Sequence, residues 1–293
     1  GNHKNFAPNA KKILVDIDKE EFTNHLLKSD LIKYNCNVKD FIRNLNYLKI
    51  KNSNIKKKWV ISINNLKKNY PILIKKNTLN NRFVDPYYFF NKFYTSIKAN
   101  SIVIPDASAN LIWAYQSLLT DKKPEMFTAF NHSPMGYSIA ASVGASFASR
   151  NKKIYALIGD GSVPMNVQEL ETIKNYNVNV AIIVLDNKGY GLIKQTQETW
   201  LNSKYAGTDE ASGLSLPDNQ KIALSYGIKS YSLINNKNVK KNLQKLLSLK
   251  GPLLINVNID PKSRVKPKIE YGKPLHDMYP YIKKSKLKEI MNN

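Results

Sequence analysis

Residues 154–191 read IYALIGDGSVPMNVQELETIKNYNVNVAIIVLDNKGYG, and this stretch indicates the fold. Residues 154–158 and 180–185 are short apolar runs without polar alternation, which is typical of strands buried on both faces of a sheet. The intervening residues 163–176 have the pattern of a helix. Because a helical crossover returns the chain to the starting end of the sheet, the two strands are expected to run parallel. The stretch therefore predicts a strand–helix–strand unit of an α/β protein.

The same alternation extends outward in both directions, so residues 85–260 are predicted to form one domain with a parallel sheet flanked by helices. The further predicted helices cover residues 85–99, 110–118, 135–149, 218–226 and 239–247. The further predicted strands cover residues 101–105, 228–233 and 253–258.

The segments outside this domain have a different character. Residues 1–50 combine a strand pattern at 12–18 with helical patterns, and they are predicted to be the closing part of another α/β domain. A polar stretch rich in Lys and Asn predicts a linker over 51–84, within which residues 59–70 could form a helix. Residues 261–293, with several prolines and many lysines, are predicted to be a C-terminal surface tail.

The chain is strongly basic, with a net charge of +23 over 293 residues. Such a charge keeps a basic nucleic-acid-binding module as an alternative function. However, nearly all of the positive charge is lysine, which lacks the planar fork that reads base edges. The lysines are also scattered, without the interleaved aromatic residues of single-strand binders. We therefore expect a solvated lysine-rich surface and no nucleic-acid partner.

Neither a membrane segment nor a disulfide is expected. No run approaches the roughly 18 apolar residues that span a bilayer, and the N-terminus has no apolar signal core. Cys36 is the single cysteine, so no disulfide can form within the chain. We expect a cytoplasmic protein with no membrane partner.

Polar residues follow the two central strands where each strand ends. Residues 159–162 read GDGS and open onto the predicted helix, where glycines permit a tight turn and helical N–H groups can bind a phosphate. Asn187 follows the next strand. Because neighbouring parallel strands end at the same edge of a sheet, Asp160 and Asn187 are expected to lie together. Their oxygens, with those of a phosphate, suit Mg²⁺.

This pairing resembles the diphosphate-and-metal motif of thiamine-diphosphate enzymes. The resemblance implies that Asp160, Asn187 and the carbonyl oxygen of Gly189 bind Mg²⁺. The family usually has Asn-Asn where this chain has Asp186 and Asn187, and the ligating second residue is kept. The resemblance further implies cofactor contacts from Gly159, Gly161, Ser162, Tyr190, Gly191 and Leu192.

Residues 131–145 are similar to the family segment that lies under the cofactor. The similarity implies that Met135 bends thiamine diphosphate into its V shape and that the carbonyl oxygen of Ser133, where the family often has Gly, accepts its amino group. Packing in the first turn of a helix is the alternative for Met135. His132 is a candidate catalytic residue for substrate contact or proton transfer, or else an ordinary loop histidine.

Residues 106–110 are similar to the family's other diphosphate-contacting loop. The similarity implies cofactor contacts from Ser108, Ala109 and Asn110, with the side chain of Asn110 as a hydrogen-bond donor. The family commonly has Gly at the position of Ser108.

Residues 165–173 and 191–197 resemble the acetolactate synthases in particular. The resemblance implies decarboxylation of a 2-ketoacid and transfer of the acyl-anion equivalent to a second carbonyl compound. Thr196 stands where that family has a Trp that helps to select the acceptor ketoacid. Alternatives are a simple 2-ketoacid decarboxylase and a non-catalytic protein of the same fold.

In this family a pyrimidine-binding domain supplies the glutamate that activates the cofactor, and residues 1–293 contain no candidate for it. We therefore expect a fragment of a longer polypeptide, or a half-enzyme that needs a partner chain and is inactive alone. Residues 1–50 resemble only the end of the family's middle domain, so the sequence leaves FAD binding open. A homo-oligomer is expected because the family's active sites lie between subunits.

Overall fold

The computed structural model describes residues 6–7, 9–24, 31–48, 54–74, 82–118, 124–270 and 273–292. Contacts divide the chain into two units, residues 1–70 with 266–293 and residues 71–265. The strands are β1 (Lys12–Asp16), β2 (Leu31–Asn35), β3 (Ser101–Pro105), β4 (Glu125–Met126), β5 (Lys153–Gly159), β6 (Val180–Asp186), β7 (Lys229–Leu233), β8 (Leu253–Asn258), β9 (Lys268–Ile269) and β10 (Met278–Tyr279). The α-helices are α1 (Glu21–Asn24), α2 (Val38–Tyr47), α3 (Asn54–Asn69), α4 (Pro86–Ser96), α5 (Ala109–Gln116), α6 (Tyr137–Ala148), α7 (Glu169–Asn175), α8 (Gly191–Trp200), α9 (Asn219–Ser225), α10 (Val239–Leu247) and α11 (Lys284–Asn292).

The larger unit contains a six-stranded sheet in the order β4-β3-β5-β6-β8-β7. Every neighbouring pair in it is parallel. The predicted α/β fold with a helix-flanked parallel sheet is thus confirmed, and the predicted domain of residues 85–260 lies within this unit.

Burial of β5 and β6 on both faces explains why their sequences do not alternate between apolar and polar residues. Along β6 every residue is buried. Ile183 and its alternate neighbours pack on the side of α4, α5 and α10, whereas Ile182 and its alternate neighbours pack on the side of α6, α7 and α9. Successive side chains of a strand point to opposite faces, and here both faces meet an apolar helix layer.

Two predicted helices differ from the observed ones. Residues 163–176, predicted as one helix, form a 3-10 helix over Val163–Asn166 and then α7. The N–H of Leu170 donates to the carbonyl of Val167 at 3.1 Å, so three-residue bonding persists up to the start of α7. The helix predicted from residue 135 begins at Tyr137 because Gly136, with φ +86°, adopts a left-handed conformation.

The smaller unit contains one strand that the sequence did not predict, β2, which pairs in parallel with β1. The helix that was considered possible over residues 59–70 of the predicted linker is present as α3, which begins earlier, at Asn54. Exposed lysines are compatible with a helix, so a lysine-rich sequence does not by itself indicate a linker. No helix in the described ranges is long and apolar enough to cross a membrane.

Candidate functional site

A cavity of about 340 Å³ opens where β3, β5 and β6 end, and its walls come from the loops that follow these strands, from the loop that precedes α6 and from α5 and α8. The position agrees with the general location of ligands at the carboxyl ends of parallel strands. Every residue that the sequence predicted to contact a cofactor lines this cavity. These residues are Ser108, Ala109, Asn110, Ser133, Met135, Gly159, Asp160, Gly161, Ser162, Asn187, Gly189, Tyr190, Gly191 and Leu192.

The floor of the cavity is built from the ends of β5 and β6. These strands are neighbours, and Gly159 pairs with Leu185 in their register, so Asp160 and Asn187 follow at the same edge. Asp160 is 3% exposed. Its Oδ1 accepts the N–H of Gly161 at 2.8 Å, and its Oδ2 accepts the N–H of Gly189 at 3.0 Å. Asp160 therefore links the two loops that the sequence placed together.

A second carboxylate, that of Asp186, interacts with Asp160 at this edge. Its Oδ2 accepts hydrogen bonds from Nζ of Lys188 at 2.7 Å and from Nδ2 of Asn256 at 3.0 Å. Burial acts to raise the pKa of Asp186, but these bonds outweigh it and the pKa lies below its usual range. Burial and then the negative charge of Asp186 raise the pKa of Asp160 to about 7.

Two glycines in the cavity lining allow neighbouring side chains to pack directly on the backbone. A Cβ placed on Gly161 would come within 2.3 Å of the Tyr190 ring. A Cβ placed on Gly191 would come within 2.3 Å of Nδ2 of Asn187. Real side chains do not tolerate such approaches, so glycine at these positions lets the Tyr190 ring and the Asn187 amide lie against the backbone.

Two serines in the cavity wall have backbone conformations that favour glycine. Ser108 has φ 73° and ψ −148°, a region that is almost restricted to glycine, and Ser133 has φ 44°. These are the positions at which the resembled family carries Gly. The positive φ values explain why glycine suits these two positions. In this chain the two serines adopt the same kind of backbone conformation.

Met135 is half-buried and lines the cavity, at the end of the loop that precedes α6. It is not among the residues of the two core clusters, so the structure does not favour the packing alternative. His132 is exposed and lies outside the lining of the cavity. Its catalytic role therefore has no geometric support here and stays a prediction.

Sequence reasoning missed Asp106, which is completely buried directly after β3. Its Oδ2 accepts the N–H of Gly136 and its Oδ1 accepts the N–H of Ser138, both at 3.1 Å. Burial raises the pKa of Asp106, and hydrogen bonds from Ser138, Gly136, Ser162 and Ala107 oppose that rise. The sequence did contain a signal for it, because Asp106 is a carboxylate placed between an apolar strand and a helix. A carboxylate that is buried there needs several hydrogen-bond donors.

Helix α8 and Trp113 complete the wall. Ile193 and Thr196 of α8 line the cavity, and the hydroxyl of Thr196 donates to the carbonyl of Leu192 at 3.0 Å. The sequence did not predict α8 as a helix. Trp113 also lines the cavity, and within the described residues its indole Nε1 has no hydrogen-bond partner.

Helix α8 is held by residues that follow β8. Gln195, which is buried, donates to the carbonyl of Val265 at 3.1 Å and accepts its N–H at 3.0 Å. Arg264 forms a two-point ion pair with Glu198. These contacts fix the helix that carries Ile193 and Thr196.

Groups of three or more His, Cys, Asp or Glu that could hold a metal do not occur within the described ranges. A site of one carboxylate, one amide oxygen and one backbone carbonyl would not form such a group. The donor set at Asp160 and Asn187 is therefore one that relies on oxygen atoms of a bound ligand to complete a metal's coordination.

Comparison with known proteins gives a consistent result. The family model described as "Thiamine pyrophosphate enzyme, C-terminal TPP binding domain" matches residues 106–257. The acetolactate synthase large subunit of Cyanidium caldarium is 29% identical over 100% of this chain and 49% of its own length. The probable acetolactate synthase large subunit of Methanocaldococcus jannaschii is 30% identical over 99% of this chain and 50% of its own length.

The acetolactate synthase isozyme 1 large subunit of Escherichia coli (strain K12) is 27% identical over 93% of this chain and 47% of its own length. The chain thus spans about half the length of the curated relatives it matches. The family-model match begins at Asp106, directly after β3, and ends within β8, so it includes β5, β6 and the loops that follow β3, β5 and β6 at the cavity.

Proposed function

This chain belongs to the thiamine pyrophosphate enzymes of the acetolactate-synthase type, and from that premise we propose that its cavity binds the diphosphate of the cofactor through Mg²⁺. The proposed metal ligands are Asp160, Asn187 and the carbonyl oxygen of Gly189. The observation that carries the proposal is the convergence of the three loops on one cavity at the carboxyl ends of the parallel strands.

The residues at this edge of the sheet are chemically suited to hold Mg²⁺ and a diphosphate. Two interacting carboxylates, Asp160 and Asp186, are buried at this edge, and burial together with Asp186 raises the pKa of Asp160. A divalent cation would offset this unfavourable negative charge. The glycines at 161 and 191 let Tyr190 and Asn187 pack against the backbone of the loops that line the cavity, where a Cβ would displace them.

The protein's own part in the reaction is to bind and orient. Thiamine diphosphate, when bound, supplies the carbon nucleophile and electron sink that decarboxylation of a 2-ketoacid requires. Asp160 and Asn187 would anchor one end of the cofactor, and Met135 would support its other end as a flexible thioether that fills an irregular gap. Trp113, Leu192 and Ile193 present apolar surface that limits water in the cavity.

We propose that the whole enzyme transfers the acyl group left after decarboxylation to a second carbonyl compound, with simple decarboxylation as the alternative. The similarity to acetolactate synthase large subunits supports transfer. The identity of the acceptor is left open, because Thr196, beside Leu192 in the cavity wall, is smaller than the Trp that helps to select the acceptor in the resembled family. Residues outside this chain would supply the carboxylate that activates the cofactor, in a longer polypeptide or a partner subunit of an oligomer.

Product analysis distinguishes these two reactions. The chain would be combined with a pyrimidine-binding domain and incubated with pyruvate, with and without a second ketoacid. Carboligation products are expected. If an aldehyde were the only product under both conditions, the transfer reaction would be rejected and decarboxylation retained.

Cofactor binding itself is tested by thermal unfolding of the chain. We expect thiamine diphosphate to raise the unfolding temperature only when Mg²⁺ is present, and the variant Asp160→Ala to lose this increase. Asp218→Asn is the control, because Asp218 is a helix-capping carboxylate that does not itself line the cavity. An equal increase in Asp160→Ala and in the control would contradict the assignment of the metal site.

A further inference from the structure

Helix α6 begins without a capping side chain of its own. Its N-cap residue is Gly136, which has no side chain to accept a helical N–H. The unsatisfied N–H groups at a helix start are usually met by the N-cap side chain. Here the N–H of Ser138, in the first turn, is met by Oδ1 of Asp106, which lies after β3. Asp106 therefore caps α6 from a different part of the chain.

The same carboxylate connects three loops around the cavity. It lies at the start of the loop that contains Ser108, it accepts the N–H groups of Gly136 and Ser138, and interaction with the Ser162 side chain lowers its pKa. Asp106 itself is not in the cavity lining. Its contacts are thus with the backbone that holds the lining residues and not with the space that a ligand would occupy.

The turn at Met135 and Gly136 is also packed tightly on its other side. A Cβ on Gly136 would lie 2.9 Å from Nδ2 of Asn166 and 3.0 Å from Cβ of Met165. The 3-10 helix that follows the 159–162 loop therefore lies in close contact with this turn. Asp106, which follows β3, accepts the N–H of Gly136. Both contacts are made by Gly136, the residue that follows Met135 in the chain.

We propose that Asp106 is a positioning residue that holds Met135 at the cavity wall by fixing the backbone of Gly136 and Ser138. The inference rests on the proposed function, since Met135 matters only if the cavity binds the cofactor. Loss of the two hydrogen bonds would free the turn to move, and the support of the thiamine part of the ligand would weaken. The diphosphate anchor at Asp160 and Asn187 would remain.

The test compares two ligands, magnesium pyrophosphate and magnesium thiamine diphosphate, by calorimetric titration of the full chain. In Asp106→Asn, one carboxylate oxygen becomes an NH₂ group that cannot accept either backbone N–H. We expect this variant to bind thiamine diphosphate about tenfold more weakly, in keeping with the loss of one charge-assisted hydrogen bond, with pyrophosphate affinity changed by less than about twofold.

Two variants serve as comparisons. Asp218→Asn alters a carboxylate that accepts two N–H groups at the start of α9, and it is expected to change neither affinity. Met135→Ala should weaken thiamine diphosphate binding, and combining it with Asp106→Asn should cause little further loss if both act on the same contact. Losses that multiply in the double variant would show that Asp106 does not act through Met135.

Outcomes for the two proposals can be told apart. If the unaltered chain binds neither ligand, the proposed function is overturned, and the cofactor role of Asp106 with it. If the unaltered chain binds both and Asp106→Asn loses both to the same extent, only the positioning role is overturned.

Because Asp106→Asn could fail to fold, amide hydrogen exchange of the unaltered chain provides an independent measurement. The N–H groups of Gly136 and Ser138 should be protected, and rapid exchange of both would overturn the proposal.

Discussion

At the scale of single residues, the cavity contains conformations that its side chains do not favour. Ser108 and Ser133 have positive φ values although each carries a Cβ. Non-glycine residues in such regions cost on the order of 1–3 kcal/mol and persist only where the surrounding structure determines them. In this chain the neighbouring strand ends and helix starts impose the conformation, because their positions are set by the packed sheet.

Ser108→Gly is expected to raise the free energy of unfolding by about 1 kcal/mol, since the relieved strain exceeds the added flexibility of the unfolded chain. Urea unfolding would measure the change. Ser149→Gly is the matched control, because Ser149 has φ −143° and relieves no strain. A loss of stability of about 0.5 kcal/mol is expected there. Equal destabilisation in both variants would argue against strain at Ser108.

The pKa of Asp160 leads to a pH prediction at the same scale. Burial and the charge of Asp186 raise it to about 7 in the ligand-free chain. The folded chain then binds this proton more tightly than the unfolded chain, so its contribution to stability is present at acid pH and is lost as the pH rises through about 7. Metal binding needs the ionised form, so ligand affinity should show the opposite trend.

Magnesium thiamine diphosphate should therefore stabilise the chain less at pH 6 than at pH 8, as measured by the ligand-induced shift in unfolding temperature. Asp186→Asn removes the neighbouring negative charge, so Asp160 should ionise at lower pH and more of the stabilisation should survive at pH 6. Asp218→Asn should behave like the unaltered chain. A stabilisation that is independent of pH in all three proteins would contradict this account.

At the scale of elements, the contacts of α8 decide the shape of the cavity wall. Gln195 makes two hydrogen bonds to the backbone of Val265, which is 1% exposed. Gln197 makes the same pair of bonds to the backbone of Ala206, where the groups are more exposed. The two glutamines therefore differ in burial more than in hydrogen bonding.

Gln195→Ala is expected to lower the free energy of unfolding by about 2 kcal/mol, because it leaves a buried N–H and a buried carbonyl of Val265 without partners. Gln197→Ala should lower it by less than about 1 kcal/mol, since water can replace its bonds. Chemical unfolding of the two variants would measure the difference. Similar losses in both would mean that burial of Val265 does not set the cost.

Sequence patterns were most reliable for elements that pack into the core on a clear apolar face. The strand over β8 and the helix over α10 were predicted with the observed bounds, because both have a clear apolar period and are bounded by turn residues. Helix α8 was missed since its residues are mostly half-buried and its apolar pattern is weak. Its helical state depends on the contacts of Gln195 and Glu198 with residues distant in sequence.

At the scale of the whole molecule, the basic charge is largely solvated, but Lys153 is an exception. Its Nζ donates to Oδ1 of Asn179 at 3.0 Å and to the carbonyl of Leu249 at 2.9 Å, so it links segments far apart in the chain. Burial lowers the pKa of Lys153 to about 8. A lowered pKa means that the unfolded chain binds this proton more tightly than the folded chain.

The contribution of Lys153 to stability is therefore present above its unfolded pKa and is lost as the pH falls through about 8. The stability difference between the unaltered chain and Lys153→Gln should grow in favour of the unaltered chain from pH 8 to pH 10. Urea unfolding at several pH values would measure it. Lys152→Gln, which removes the neighbouring half-buried lysine that pairs with Glu125, should show no such trend. A parallel trend in both variants would contradict the assignment.

The fold and the proposed diphosphate anchor follow from local sequence. Apolar runs without alternation indicate strands that are buried on both faces, and GDGS after one strand with Asn187 after the next indicates a shared edge, because side-chain period and strand direction are local properties. Only the tertiary structure decided the placement of Asp106 against Gly136 and Ser138, the wall formed by α8, and the strained conformation of Ser108. Each of these depends on contacts between segments that are far apart in the chain, and no local pattern of residues records which distant backbone group a buried side chain will meet.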